Sequence, residues 1–114
     1  MIVGQGEVLH VVTRQRFEGD LRRHFVGIVQ AATETLIRAR GYGFVFDPWA
    51  NAYVKQPELR ERIIPLADGD MILTVLPQSV DLESLQYRMS PEAQLMLSDG
   101  NGFNLDVKEF GVRR

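Results

Sequence analysis

The 114-residue chain contains no cysteine. That one absence removes disulfide frameworks, thiolate zinc sites, iron–sulfur ligation and cysteine nucleophiles together. The core must therefore form by packing alone, and a chain of this length buries roughly two thirds of its unfolded surface without staples. Long apolar runs are missing as well: nothing approaches the ~20 residues that span a bilayer. No basic segment followed by an apolar stretch and a cleavage site opens the sequence. A cytoplasmic protein with no membrane partner is expected.

Chemistry-bearing clusters are equally scarce. The only histidines, His10 and His24, stand in no metal-ligand spacing. Ser79, Ser84, Ser90 and Ser98 lie outside G-x-S-x-G and S-x-x-K contexts. Gly4-Gln5-Gly6 precedes a strand pattern and is too short to cradle a phosphate. Asp99, Asn101, Asn104 and Asp106 approach an oxygen-ligand calcium loop, but Asn104 and Phe110 occupy the positions that need glycine and glutamate. The expectation is a protein that is not an enzyme, with no cofactor and no metal.

What is present is a globular composition, 45% hydrophobic and 25% charged, read as a single domain over residues 1–114. The net charge of -2 hides an asymmetry. Residues 1–64 carry nine Lys/Arg against seven Asp/Glu, whereas residues 65–114 carry four against eight. Such polarity steers an anionic partner to one end or lets copies associate.

Period-two patterning dominates. Glu7 to Arg16 is rich in Val and Thr and free of Gly and Pro, as a strand is. Leu21 to Phe25 fits one helical turn capped by Asp20. From Leu36 to Phe46 long side chains fall on one parity and Ile37, Ala39, Gly41, Gly43 and Val45 on the other. Phe25 to Ala31 would pair with this strand through a Thr33-Glu34-Thr35 turn. The competing assignment is a helix over Ile28 to Arg40, with Ile28, Ala32, Leu36 and Ala39 on one face and Gly41 as its C-terminal cap. The β-branched residues Val26, Ile28, Val29, Thr33 and Thr35 favour strands.

Asp47-Pro48 ends the long strand and starts an excursion that returns through a short strand at Tyr53 to Lys55. Arg60 to Leu66 and Met71 to Leu76 flank Ala67-Asp68-Gly69-Asp70, the sequence of a hairpin turn. A short helix is expected near Asp81 to Leu85. Leu85 to Met89, Gln94 to Ser98 and Phe103 to Val107 then form a meander joined by Ser90-Pro91-Glu92 and Asp99-Gly100-Asn101-Gly102. The fold class is mainly β, a single antiparallel domain (small barrel or sandwich) with one or two short helices, and α+β is the alternative.

One segment carries a more specific pattern. Arg40-Gly41-Tyr42-Gly43-Phe44-Val45-Phe46-Asp47 resembles the signature strand of the RNA-recognition motif and is similar to the aromatic strand of cold-shock domains. Asp47 departs from that pattern, which has an aromatic there. The resemblance implies single-stranded RNA or DNA as partner, with Tyr42 and Phe44 as stacking faces and Arg40 beside them for phosphate. Arg14, Arg16, Arg22 and Arg23 would add phosphate contacts. The alternative is that the aromatics of this strand fill the core.

Over nearly its full length the chain also resembles a group of small uncharacterised bacterial proteins, through the stretches FEGDLRRHFVG, RGYGFVFDP, PELRERIIPLADG and DGNGFNLDVKEFG. That resemblance implies a self-contained bacterial domain and brings no activity or cofactor. The leading functional expectation is a binding or interaction module that docks a protein partner or a second copy of itself. Trp49 and Tyr53, aromatics on a loop, are its candidate anchors.

Overall fold

Val-, Ile- and Thr-rich runs with small residues at close approaches form ladders, because branched side chains pack well on a pleated surface. The computed structural model describes residues 2–13, 23–67, 71–89, 91–92 and 94–107. Of these, 60% lie in strands and 3% in a single 3-10 turn. The protein is mainly β and antiparallel. Contacts divide the chain into two compact units, Met1–Ser79 and Val80–Arg114.

The first unit is a six-stranded sheet of β1 (Val8–Thr13), β2 (Arg23–Ala32), β3 (Leu36–Asp47), β4 (Ala52–Lys55), β5 (Arg60–Pro65) and β6 (Met71–Leu76), ordered β4-β3-β2-β1-β6 with β5 also on β3. The stretch open to strand or helix is a β-hairpin. β2 and β3 pair from Arg23↔Val45 to Ala32↔Ile37, and the Thr33 hydroxyl accepts from the Leu36 amide at 3.0 Å to fix the turn. A bulge between Val29 and Ala31 bends β2.

Two local expectations are corrected. Arg23 to Phe25 belong to β2 rather than to a helical turn, since His24 and Phe25 pair with β1 on one side and β3 on the other. The rest of that turn, Asp20 to Arg22, lies outside the described residues, as do Arg14 and Arg16. The second correction concerns β5 and β6, which do not pair with each other. β5 joins β3 and β6 joins β1, so turn-forming residues between them link two separate ladders. Directly opposite residues share a face, so pairing with β3 places Ile64 beside Ile37 in the core, and pairing with β1 places Leu73 beside Val11, packed against it.

Leu9, Val11, Phe25, Val29, Ile37, Ala39 and Ile64 form one buried cluster, with Leu66, Met71 and Leu73 packed against it. Side chains from both outer strands, β5 and β6, meet in this cluster although three strands separate them in the sheet. The sheet therefore curls around its core. The opposite face is also buried at Val8, His10, Val12, His24, Val26 and Phe44.

In the second unit, β7 (Gln86–Met89), β8 (Leu95–Ser98) and β9 (Asn104–Asp106) form the expected meander. The expected short helix is a 3-10 turn at Leu82–Ser84, capped by the Asp81 carboxylate, which accepts from the Glu83 amide and the Ser84 hydroxyl. Val80, Leu85, Leu97 and Val107 are its buried apolar side chains. Among the described residues no helix is long and apolar enough to cross a membrane.

Candidate functional site

The site arises where β3 changes partner. Residues 36–41 of β3 pair with β5, and residues 44–47 pair with β4 on the same edge. Between them the chain from Gln56 to Leu59 leaves the ladder, held at its start by the Gln56 amide donating to the Gly43 carbonyl at 2.8 Å. Gly43 adds no side chain there. The result is a cavity of about 520 Å³ at one end of the curled sheet.

Its apolar lining comes from Val11, Phe25 and Val45, with Val11 and Phe25 belonging to the core cluster. Its polar lining comes from Thr13, Gln56, Glu58 and three arginines: Arg23 at the start of β2, and Arg60 and Arg62 on β5. The arginine placement follows from register. Arg23 stands opposite Val45, Arg62 opposite Ala39 and Arg60 opposite Gly41, so all three project on the face that carries the core cluster.

Three guanidiniums therefore meet one carboxylate in the lining. Arg60 donates to Glu58 at 2.8 Å, in a pair more than half exposed on both sides. Such a pair contributes little to stability. Arg23 and Arg62 make no ion pair among the described residues. An apolar floor under unneutralised guanidiniums suits an anion with an apolar body, because the fork of donors matches carboxylate or phosphate oxygens.

Of the residues expected to contact nucleic acid, Arg23 lies in this cavity, whereas Arg40 lies on the opposite face and pairs with Glu61 at 3.3 Å. Phe44 is 1% exposed. A ring buried to that degree offers no face to a base, so Phe44 belongs to the core alternative. Tyr42 is half-buried, with the Lys55 ammonium 4.3 Å from its ring centre. Arg14, Arg16 and Arg22 lie outside the described residues.

The two loop aromatics separate. Trp49 is 97% exposed at the tip of the β3–β4 hairpin, where its amide donates to Asp47 at 3.0 Å. Tyr53 is buried rather than presented on a loop: it lies in β4 opposite Phe46 and stacks on His24 with ring centres 4.6 Å apart. His24 in turn meets His10 edge-on at 5.5 Å. Burial pushes the His10 imidazole down to about 4. Burial, with the neighbouring His10 charge adding to it, pushes His24 down to about 3. Both rings are therefore neutral at pH 7, packed as aromatic side chains.

In the second unit Asp99 closes the β8–β9 turn. One oxygen accepts from the amides of Asn101 at 2.8 Å and Phe103 at 3.1 Å, and the other accepts from Asp81 at 3.2 Å. Among the described residues no group of three His, Asp or Glu side chains is arranged to hold a metal ion.

Nothing among protein-family models, curated proteins or solved structures matches this chain.

Arg60 and Arg62 were not singled out from the sequence as site residues. Their signal was available, since two arginines spaced i, i+2 in a strand share a face. What the sequence did not carry was that β5 joins β3 instead of β6, which turns that face toward the cavity.

Proposed function

We propose that the protein is a non-enzymatic binding module whose site is the arginine-rimmed cavity, and that its ligand is a small anion with an apolar body. The observation that carries this reading is the pairing of Arg23 and Arg62, both without an ion-pair partner among the described residues, with a floor of Val11, Phe25 and Val45. Each guanidinium–anion contact at such a rim is worth on the order of 1–2 kcal/mol, and the apolar body adds about 25 cal/mol per Å² buried. Dissociation constants in the micromolar range follow from a few such terms after the cost of association.

Calorimetric titration with naphthyl phosphate, octanoate and neutral naphthol tests the reading. Both anions are expected to bind, with affinity falling as salt rises, and Arg23→Glu combined with Arg62→Glu is expected to abolish binding while leaving the fold intact. Equal binding of naphthol, or binding of the anions that survives the double substitution, would overturn it. A cytoplasmic location belongs to the same reading. The alternative of single-stranded RNA or DNA binding keeps Arg40 and Tyr42 on an accessible face but loses Phe44 as a platform. It requires Tyr42→Ala to weaken binding by roughly 1–3 kcal/mol.

A further inference from the structure

The outer strands of the first unit are protected unequally. β5 reads Arg-Glu-Arg-Ile-Ile-Pro, with three exposed charges at one end and proline at the other. β4, the other strand on that side, ends in Lys55. β6 reads Met-Ile-Leu-Thr-Val-Leu, with no charge, no proline and no glycine. Its register with β1 runs unbroken from Thr13↔Met71 to Val8↔Leu76, so no bulge twists it away. Among the described residues β6 pairs with β1 alone, and Ile72 and Val75 stand 39% and 55% exposed. Sheet proteins that stay monomeric guard such edges with lysine, proline, bulges or a cover.

We propose that the outer edge of β6 is a self-association surface, on which a second copy of this chain adds its own β6 antiparallel about a two-fold axis through Thr74. The occupant is a second copy because the strand is compatible with its own image. A two-fold normal to the sheet keeps the same face up in both copies, so residues of equal parity meet. Thr74 then faces Thr74, Leu73 faces Val75 and Ile72 faces Leu76. Each is an apolar or Thr–Thr pair of the kind that stabilises antiparallel ladders, and no charge meets its like. A charged peptide would find no complement along this strand. One six-residue ladder buries less than the ~1,200 Å² of a standard interface, so the dimer is weak and reversible. This surface is independent of the arginine-rimmed cavity.

The cysteine-free chain offers a direct test. Opposed residues in an antiparallel pair have Cα atoms about 4.5–5.5 Å apart, within the range a disulfide spans. Under mild oxidation Thr74→Cys is expected to cross-link into a covalent dimer at least about tenfold faster than Ile63→Cys, although Ile63, 60% exposed on the charged β5 strand, is the more accessible of the two positions. Sedimentation of the unmodified chain is expected to show a concentration-dependent monomer–dimer equilibrium, weakened about tenfold or more by Val75→Lys and unaffected by Arg62→Glu. Circular dichroism of Val75→Lys checks that it is folded. Cross-linking of Thr74→Cys no faster than Ile63→Cys, a strict monomer up to millimolar concentration, or a dimer that folded Val75→Lys leaves unchanged would each overturn the proposal.

Discussion

Gly41 stands directly opposite Gly27 across the β2–β3 ladder, and neither has room for a side chain. A Cβ on Gly41 would collide with the Val26 carbonyl, and one on Gly27 would lie 2.6 Å from the Phe25 ring and 2.9 Å from the Arg40 carbonyl. Gly43, two residues on, is different: a Cβ there would meet only ordinary contacts at 3.9 Å and beyond, at the cavity wall. Gly41→Ala is therefore expected to destabilise the fold by about 3 kcal/mol or more, because the obstacle is backbone that does not yield. Gly43→Ala is expected to be neutral or to stabilise by about 0.4–1 kcal/mol through the unfolded chain. Urea denaturation of both variants checks the contrast, and equal costs would show that the strand pair is spaced differently.

That contrast explains how much of the fold was legible in the sequence. Alternation from Leu36 to Phe46 is strong because both faces are constrained, with Ile37, Ala39 and Gly41 against the concave core and Phe44 buried on the other face. The turns at Thr33 and Asp99 use side chains that bond their own backbone, so their residues announce them. The pairing of β5 was not legible, because a turn sequence specifies that the chain turns and not which ladder receives the next strand. The cavity depends on that pairing. Its arginines were visible, but their convergence was not. Within the segment around Arg40, Gly41 serves the close approach of two strands and Phe44 is buried, neither of which period-two patterning alone reveals.

His10 and His24 make stability depend on pH. Both pKa values lie below the unfolded value of about 6.5, at about 4 and about 3. Below pH 6.5 the unfolded chain takes up protons that the native chain does not, so the contribution of these groups is fully present above pH 6.5 and is withdrawn as pH falls toward 4. Each histidine withdraws on the order of 2–3 kcal/mol by pH 4.5. Urea denaturation between pH 7 and 4.5 should show this slope. His24→Phe, which retains a ring to stack on Tyr53, should remove about half of it. An unchanged slope would mean that the imidazoles are solvated.

Asp99 carries the closure of the β8–β9 turn. Hydrogen bonds from the backbone amides, Asn101 foremost, hold its carboxyl below the usual carboxylate range despite the opposing effect of desolvation. A depressed carboxylate contributes stability that is present above the unfolded pKa and lost as pH falls through the folded value. Asp99→Ala is expected to speed hydrogen exchange at the Asn101 and Phe103 amides and to lower the thermal midpoint. Asp99→Asn, which retains an acceptor oxygen, should sit between it and the unmodified chain. Unchanged exchange at those two amides in Asp99→Ala would show that the turn is set by Gly100 and Gly102, both at positive φ, without the carboxylate.

Trp49 is the chain's single tryptophan, and at 97% exposure it contributes almost no buried area to the fold. Trp49→Ala should change stability by less than about 0.5 kcal/mol, whereas Tyr53→Ala, four residues on and buried against His24 and Phe46, should cost roughly 3–5 kcal/mol. Fluorescence reads this environment without ambiguity. Acrylamide should quench the folded protein nearly as efficiently as the urea-denatured chain. The same signal discriminates between surfaces of self-association: pairing through the β6 edge leaves Trp49 equally quenchable at low and high protein concentration. Protection of Trp49 on concentration would put the contact on the β3–β4 hairpin instead, and Val75→Lys would then fail to restore quenching.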